Sequence, residues 1–186
     1  MSERSESLDL RDGYTYDPII KGADTTYWAV ITGVLSVVSN KLRFNADRHA
    51  SFLQHLYGDY IFRVNIPANL VASDNRIVGL RLPAAPTVGS IYFEWDSDAV
   101  FSAKSYDNFG NQKKTTIAWD SDWSGSEIDY RIRWEKDRIQ FHVNGIIKAT
   151  HDANIGTTPL PIDISNVNAD NMDVGAIEVR QAQAII

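Results

Sequence analysis

The stretch YRIRWEKDRIQFHVNG, residues 130–145, decides the fold. Apolar and polar residues alternate through Tyr130–Trp134 and again through Ile139–Val143, with a turn at Lys136 and Asp137 between them. A period of two is typical of strands that bury one face. The pair Asn144 and Gly145 favours a second tight turn, because both residues tolerate positive φ angles. The stretch therefore predicts an antiparallel hairpin whose apolar face is covered by a second sheet.

Short runs of the same kind recur along the chain. They are Trp28–Ile31, Val34–Val38, Lys41–Phe44, Asp59–Ile66, Arg76–Leu82, Ser90–Asp96, Ala99–Tyr106, Thr115–Trp119, Ile146–Thr150, Pro161–Ile164 and Val174–Val179. The segment Asp47–Tyr57 fits either a short helix or a further strand. Roughly ten to twelve short strands separated by turn residues predict an all-β protein, a two-sheet antiparallel β-sandwich.

Composition limits the partners and chemistries. The 186 residues carry a formal net charge of −6 and no cysteine. The lack of cysteine excludes disulfides and cysteine nucleophiles. The negative net charge disfavours a nucleic-acid partner, because phosphate backbones repel acidic proteins. No apolar run is long enough to span a bilayer, and no apolar signal segment follows Met1, so we expect no membrane partner and cytoplasmic synthesis. The polar residues 1–12 predict a flexible or partner-docking arm before one β-sandwich domain, residues 13–186.

The hairpin resembles the late hairpin of the concanavalin A-like lectins and glucanases. Tyr130–Trp134 followed by Ile139–Gly145 is similar to the corresponding stretch of laminarinase- and lichenase-type β-glucanases, and Gly175–Val179 is similar to their closing strand. The resemblance covers most of the chain after Gly13. It implies a concanavalin A-like jelly roll, a fold that carries lectins, glycosidases, binding modules and viral proteins alike.

The resemblance also points to one strand as a place for catalysis. Glucanases of this kind carry Glu-x-Asp-x-Glu on one strand, and the equivalent run here contains Glu94, Asp96 and Asp98. By resemblance Glu94 is the nucleophile, Asp96 its helper and Asp98 the acid/base of a retaining enzyme. Two departures count against this assignment. Asp98 is one methylene shorter than glutamate, and Asp-Ser-Asp is also typical of a turn.

Aromatic and arginine side chains are the candidates for ligand binding. Trp119 and Trp123 lie in a turn-rich polar segment, and Tyr106–Phe109 is a second loop of this kind. Arg131 and Arg133 lie opposite the apolar side of the hairpin. Aromatic rings that stack on sugars, with polar groups beside them, are typical of carbohydrate sites. For both tryptophans the alternative is burial against the core.

Cofactor chemistry has little support in the sequence. The four histidines, His49, His55, His142 and His151, form no pair with metal-ligand spacing. Calcium remains open because oxygen ligands are present in three acidic clusters, which are Asp96/Asp98, Asp120/Asp122 and Asp170/Asn171/Asp173. None has the spacing of a known calcium loop. No cofactor is expected otherwise.

Three hypotheses follow. The leading one is a domain that is not an enzyme, a non-catalytic glycan-binding or adhesion domain that recognises a cell-surface glycan or polysaccharide. The second is a virion structural protein, a capsid decoration or tail-associated component, that assembles with other virion proteins or as a homo-oligomer through residues 1–12 and the terminal Ile185 and Ile186. The third is a retaining β-glucanase that uses Glu94 and Asp98.

Overall fold

A computed structural model describes residues 14–16, 28–33, 36–66, 75–96, 100–168 and 170–180. Fifteen strands, named β1 to β15 in chain order, make up this part of the chain. The first eight are β1 Tyr14–Tyr16, β2 Trp28–Thr32, β3 Ser36–Val38, β4 Lys41–Phe44, β5 Asp47–His55, β6 Gly58–Asn65, β7 Arg76–Leu80 and β8 Ile91–Trp95. The others are β9 Phe101–Tyr106, β10 Gln112–Thr116, β11 Glu127–Trp134, β12 Ile139–Val143, β13 Ile146–His151, β14 Leu160–Asn166 and β15 Met172–Arg180.

The strands form two antiparallel sheets. One has eight strands, in the order β13-β12-β11-β6-β15-β4-β3, with β1 paired to β15. The other has seven, in the order β10-β9-β8-β7-β14-β5-β2. Together they make the predicted all-β fold, a two-sheet antiparallel β-sandwich of the jelly-roll type.

The core lies between the sheets and is rich in aromatic rings. Phe93 of the seven-stranded sheet meets Tyr130 and Phe141 of the other sheet, with ring centroids 5.4 and 5.3 Å apart. Trp95 and Trp134 are fully buried. Burial of each such side chain contributes roughly 1.5–3 kcal/mol, so the alternating apolar residues account for the packing of the two sheets.

The predicted turns and most of the predicted strands agree with the structure. Ser39 and Asn40 have φ of 51° and 64°, and Asn144 and Gly145 have 48° and 78°, as tight hairpin turns require. Asp47–His55 is a strand, which settles the open choice between helix and strand for this segment. The run predicted at Thr115–Trp119 is wrong in its bounds, because the pairing with β9 ends at Thr116.

The terminal predictions fall outside the described residues. These are the arm at residues 1–12 and the tail with Ile185 and Ile186. Within the described part of the chain, no helix has the length and apolar character needed to cross a membrane.

Candidate active site on the seven-stranded sheet

The side of the seven-stranded sheet that faces away from the core, here called its outer face, collects the polar chemistry. In β8, Ile91, Phe93 and Trp95 belong to the core. Strand alternation therefore turns Tyr92 and Glu94 to the outer face. The neighbouring strands contribute alternate residues to the same face because the pairing with β7 and β9 is in regular register.

Two carboxylates of the outer face are held by lysines from the next strands. Glu94 forms an ion pair with Lys104 of β9, and its side chain is 13% exposed. Asp96, the residue after β8, accepts a hydrogen bond from Lys114 Nζ of β10 at 3.0 Å. A second contact, from the amide of Val100 to Asp96 Oδ1 at 3.2 Å, fixes the orientation of this carboxylate. Glu94 and Asp96 thus stand on one face, as their spacing predicts.

A fully buried carboxylate lies farther across the same face. Asp163 of β14 is 0% exposed and accepts a pair of hydrogen bonds from Arg48 at 3.1 and 3.0 Å. Arg81 donates a further bond to Asp163 Oδ2 at 2.5 Å. One buried negative charge is therefore shared by two guanidinium groups, the arrangement that a buried charge needs in order to be stable.

Two tyrosine rings connect this carboxylate to the edge of the sheet. The Arg81 guanidinium lies 5.6 Å from the ring centroid of Tyr92, and Tyr92 stacks on Tyr106 with centroids 6.1 Å apart. Gln112 of the edge strand donates a hydrogen bond to the Tyr106 hydroxyl. Burial raises the pKa of Tyr92, and its hydrogen bond with Tyr106 raises it further, so the Tyr92 phenol stays neutral at physiological pH.

The two predicted tryptophans pack against the core. The Trp123 side chain belongs to a 3₁₀ turn, Ser121–Trp123, and is 9% exposed. Trp119 is partly buried, and its ring meets Trp95 and Trp123 edge to face at 6.3 and 5.3 Å. Both rings thus take part in packing at one end of the sandwich. A ligand-binding role for either stays a prediction.

The two predicted arginines lie on the other sheet. Arg131 donates two hydrogen bonds to the carboxylate of Asp59, one from Nε to Oδ1 at 2.6 Å and one from Nη2 to Oδ2. This hydrogen bond raises the pKa of Arg131. Arg133 is 2.8 Å from Glu135. Both line an open cleft of about 300 Å³, together with Arg180. The structure therefore separates these arginines from Tyr106, which lies on the outer face of the seven-stranded sheet.

The described acidic residues that were considered as calcium ligands form contacts with other protein groups. Asp120 accepts a hydrogen bond from the amide of Asp122 and so caps the 3₁₀ turn. Asp173 forms a bidentate pair with Arg43 at 2.8 Å. Asp98 lies outside the described residues. Within the described part, no three His, Asp or Glu side chains are grouped as metal ligands. Calcium binding stays an untested prediction.

Sequence reasoning missed the residues that organise the outer face. Asp163 is a single acidic residue within the apolar run Leu160–Ile164, and such a residue is almost never fully buried unless it is paired. That signal was available. Its partners were not identifiable from the sequence, because Arg48 of β5 is 115 residues away and Arg81, the residue after β7, is 82 residues away.

Several solved structures of enzymes share this fold. The β-glucanase of Bacillus licheniformis superposes with a TM-score of 0.74 at 14% identity, over 91% of this chain and 98% of that one. The laminarinase catalytic domain of Thermotoga maritima gives 0.73 at 11%, over 91% and 97%. Crh5 transglycosylase gives 0.70 at 15%, over 92% and 85%. No protein-family model matches the sequence, and a sequence search of curated proteins finds no match.

These similarities confirm one expectation and correct another. The resemblance in fold to concanavalin A-like β-glucanases is confirmed. The leading hypothesis, a non-catalytic glycan-binding or adhesion domain that is not an enzyme, is wrong by the same comparison, because the similar structures are glucanases and transglycosylases. The virion, capsid and lectin assignments find no support among them.

Proposed function

We propose that this chain is a retaining glycoside hydrolase or transglycosylase that acts on a β-linked glucan polysaccharide. Glu94 is the nucleophile in this proposal, and Asp98 is the acid/base. The observation that carries the proposal is the position of Glu94 on the outer face of β8, within a fold shared over nearly the whole length of several glucanases. Because one fold hosts many activities, the named residues matter more than the fold alone.

The proposed reaction is a double displacement, the chemistry of retaining glycosidases, whose two carboxyl groups lie about 5–5.5 Å apart. Glu94 and Asp98 are four residues apart, which is roughly 13 Å along a regular strand. Because β8 ends at Trp95, the proposal requires that the chain after β8 bends and brings the Asp98 carboxyl group back towards Glu94. Glu94 then attacks the anomeric carbon while the acid protonates the departing glycosidic oxygen. Water or a sugar hydroxyl, deprotonated by the same group, releases the glycosyl ester.

Glu94 and Asp96 each form an ion pair with a lysine from a neighbouring strand, Lys104 of β9 and Lys114 of β10. A carboxylate that attacks as a nucleophile must be ionised, and Glu94 is held in an ion pair with Lys104. Asp96 has two restraints, one from Lys114 and one from the backbone of Val100. Lys104 is therefore a positioning residue in this proposal, and Asp96 orients the strand end beside the nucleophile.

Substitution of Glu94 tests the proposal directly. The Glu94→Gln variant keeps the shape of the side chain but removes the nucleophile, so release of reducing ends from mixed-linkage β-1,3-1,4-glucan or laminarin should fall at least about 10³-fold. Mass spectrometry of oligosaccharide products detects transfer as well as hydrolysis. The matched control is Glu178→Gln, because Glu178 lies on the other sheet and pairs with Arg180.

Two outcomes contradict the proposal. One is a Glu94→Gln variant that hydrolyses and transfers at the wild-type rate. The other is a wild-type protein that neither shortens nor lengthens either glucan. An Asp98→Asn variant with unchanged rates removes Asp98 from the mechanism while leaving Glu94 in place.

A further inference from the structure

The turn between β9 and β10 presents an aromatic ring to solvent. Phe109 is 92% exposed, far more than any other large hydrophobic side chain of the described residues, of which the next is Ile146 at 61%. Single exposed aliphatic residues are ordinary on protein surfaces. A whole phenyl ring at a turn is different, because leaving it in water forfeits the free energy that burial would supply.

Asp107 holds this turn in one shape. Its Oδ1 accepts hydrogen bonds from the amides of Phe109 and Asn111, both at 2.9 Å. Its Oδ2 accepts a bond from the Asn111 side chain at 2.7 Å. The bond from Asn111 lowers the pKa of Asp107, and the backbone amides lower it further, so these contacts are complete at neutral pH. The ring of Phe109 is therefore carried on an ordered support.

The loop before β14 also holds the turn in place through hydrogen bonds. The Asn108 side chain donates to Thr157 Oγ1 at 2.9 Å and accepts bonds from the Thr157 amide and the Thr158 hydroxyl at 3.1 and 3.2 Å. Gly89 donates its amide to the carbonyl of Asp107 at 2.9 Å. The turn is thus tied to the segments before β8 and before β14, and its position relative to the sheet is set by both.

The turn begins where the outer face ends. Tyr106, the last residue of β9, stacks on Tyr92, which lies two residues before Glu94 in β8. From strand and turn dimensions, Phe109 lies roughly 15–20 Å from Glu94. That distance is too great for contact with the bond being cleaved, and it suits a sugar unit farther along a bound chain.

We propose that Phe109 is a stacking platform for a remote sugar unit of the polysaccharide that reacts at Glu94. This inference rests on the proposed function and deepens it, since it requires a substrate several units long. Aromatic rings pack against the apolar C–H faces of sugars. Binding energy gained at a remote unit lowers the barrier for long substrates and has no effect on short ones that cannot reach the platform.

Chain-length dependence is the test. Phe109→Ala should raise KM for mixed-linkage β-1,3-1,4-glucan about tenfold, equal to roughly 1.4 kcal/mol. Hydrolysis of the shortest oligosaccharide that the wild type cleaves should be unchanged. Phe109→Trp should keep or strengthen polysaccharide affinity, whereas Phe109→Leu should behave like the alanine variant. The control is Ile146→Ala, an exposed aliphatic residue on the other sheet.

Affinity electrophoresis in gels that contain the same glucan separates this inference from the proposed function. Retarded wild-type protein, weaker retardation of Phe109→Ala and no cleavage by either support the platform and contradict the hydrolase. Normal cleavage with identical KM values for wild type and Phe109→Ala overturns the platform and leaves the hydrolase standing. A wild type that neither binds nor cleaves the glucan overturns both.

Discussion

The buried His151 makes the stability of this fold dependent on pH. His151 ends β13 at the edge of the eight-stranded sheet and is 0% exposed. Its Nδ1 is 2.8 Å from the hydroxyl of Ser105, and its Nε2 is 3.0 Å from that of Thr115, both on the other sheet. Burial and, to a smaller extent, the charge of Lys113 lower the pKa of His151 to about 4, against a smaller opposing effect of Asp152.

The sign and size of the effect follow from proton linkage. The unfolded chain binds a proton at His151 with a pKa near 6.5, whereas the folded chain resists protonation until the pH approaches 4. Acid therefore favours the unfolded state. The contribution is present in full above about pH 7 and is lost as the pH falls toward 4. Between pH 7 and pH 5 the free energy of unfolding should drop by about 2 kcal/mol from this residue alone.

A second buried histidine, His55 of β5, supplies an internal comparison. Burial lowers its pKa to about 4 as well, so the two histidines together predict a decline of about 4 kcal/mol over the same range. Urea titrations at pH 7, 6 and 5 measure the decline. In His151→Gln the decline should be smaller than in the wild type by about 2 kcal/mol. A variant with the wild-type pH slope would refute the assignment of the decline to this residue, whatever its absolute stability.

Two further predictions concern the outer face of the seven-stranded sheet. Asp163→Ala leaves the partly buried Arg48 and the buried Arg81 without their counter-charge, so urea titration should show a loss of about 3 kcal/mol of unfolding free energy. A loss below about 1 kcal/mol would count against the shared-charge arrangement. Gly79→Ala places a methyl group 2.4 Å from the Ile91 carbonyl and 2.6 Å from Tyr92, so the β7–β8 pairing should weaken by about 1–3 kcal/mol, with a lower melting temperature as the measurement. An unchanged melting temperature would contradict the predicted steric clash between the added methyl group and β8.

The fold was predictable because its signal is local. The alternation in Tyr130–Val143 and the turn at Asn144 and Gly145 each depend on a few adjacent residues, and the structure reproduces both. The segment Asp47–His55 was ambiguous for the opposite reason. Its partners, β14 and β2, are distant in sequence, so only tertiary pairing selects a strand over a helix.

The candidate site was only half predictable. Alternation places Glu94 and Asp96 on one face, and the structure agrees. The lysines that hold them come from β9 and β10. Their contacts depend on how these strands are aligned, with Lys104 of β9 paired to Tyr92 of β8 on one side and to Lys114 of β10 on the other. Register is set by the whole sheet rather than by any single strand, so a sequence pattern cannot assign such partners.

The aromatic residues show why exposure was the hardest property to predict. Trp123 and Phe109 both lie in polar, turn-rich segments, and nothing in the local sequence separates them. In the structure Trp123 meets Phe101 and Trp119 and is 9% exposed, because the 3₁₀ turn folds back over one end of the sandwich. The turn at Asp107 is instead tied outward to Thr157 and Thr158, which leaves Phe109 no core to join. The difference arises from which distant loop each turn contacts. A search for sugar-binding aromatics in this protein should therefore begin at Phe109.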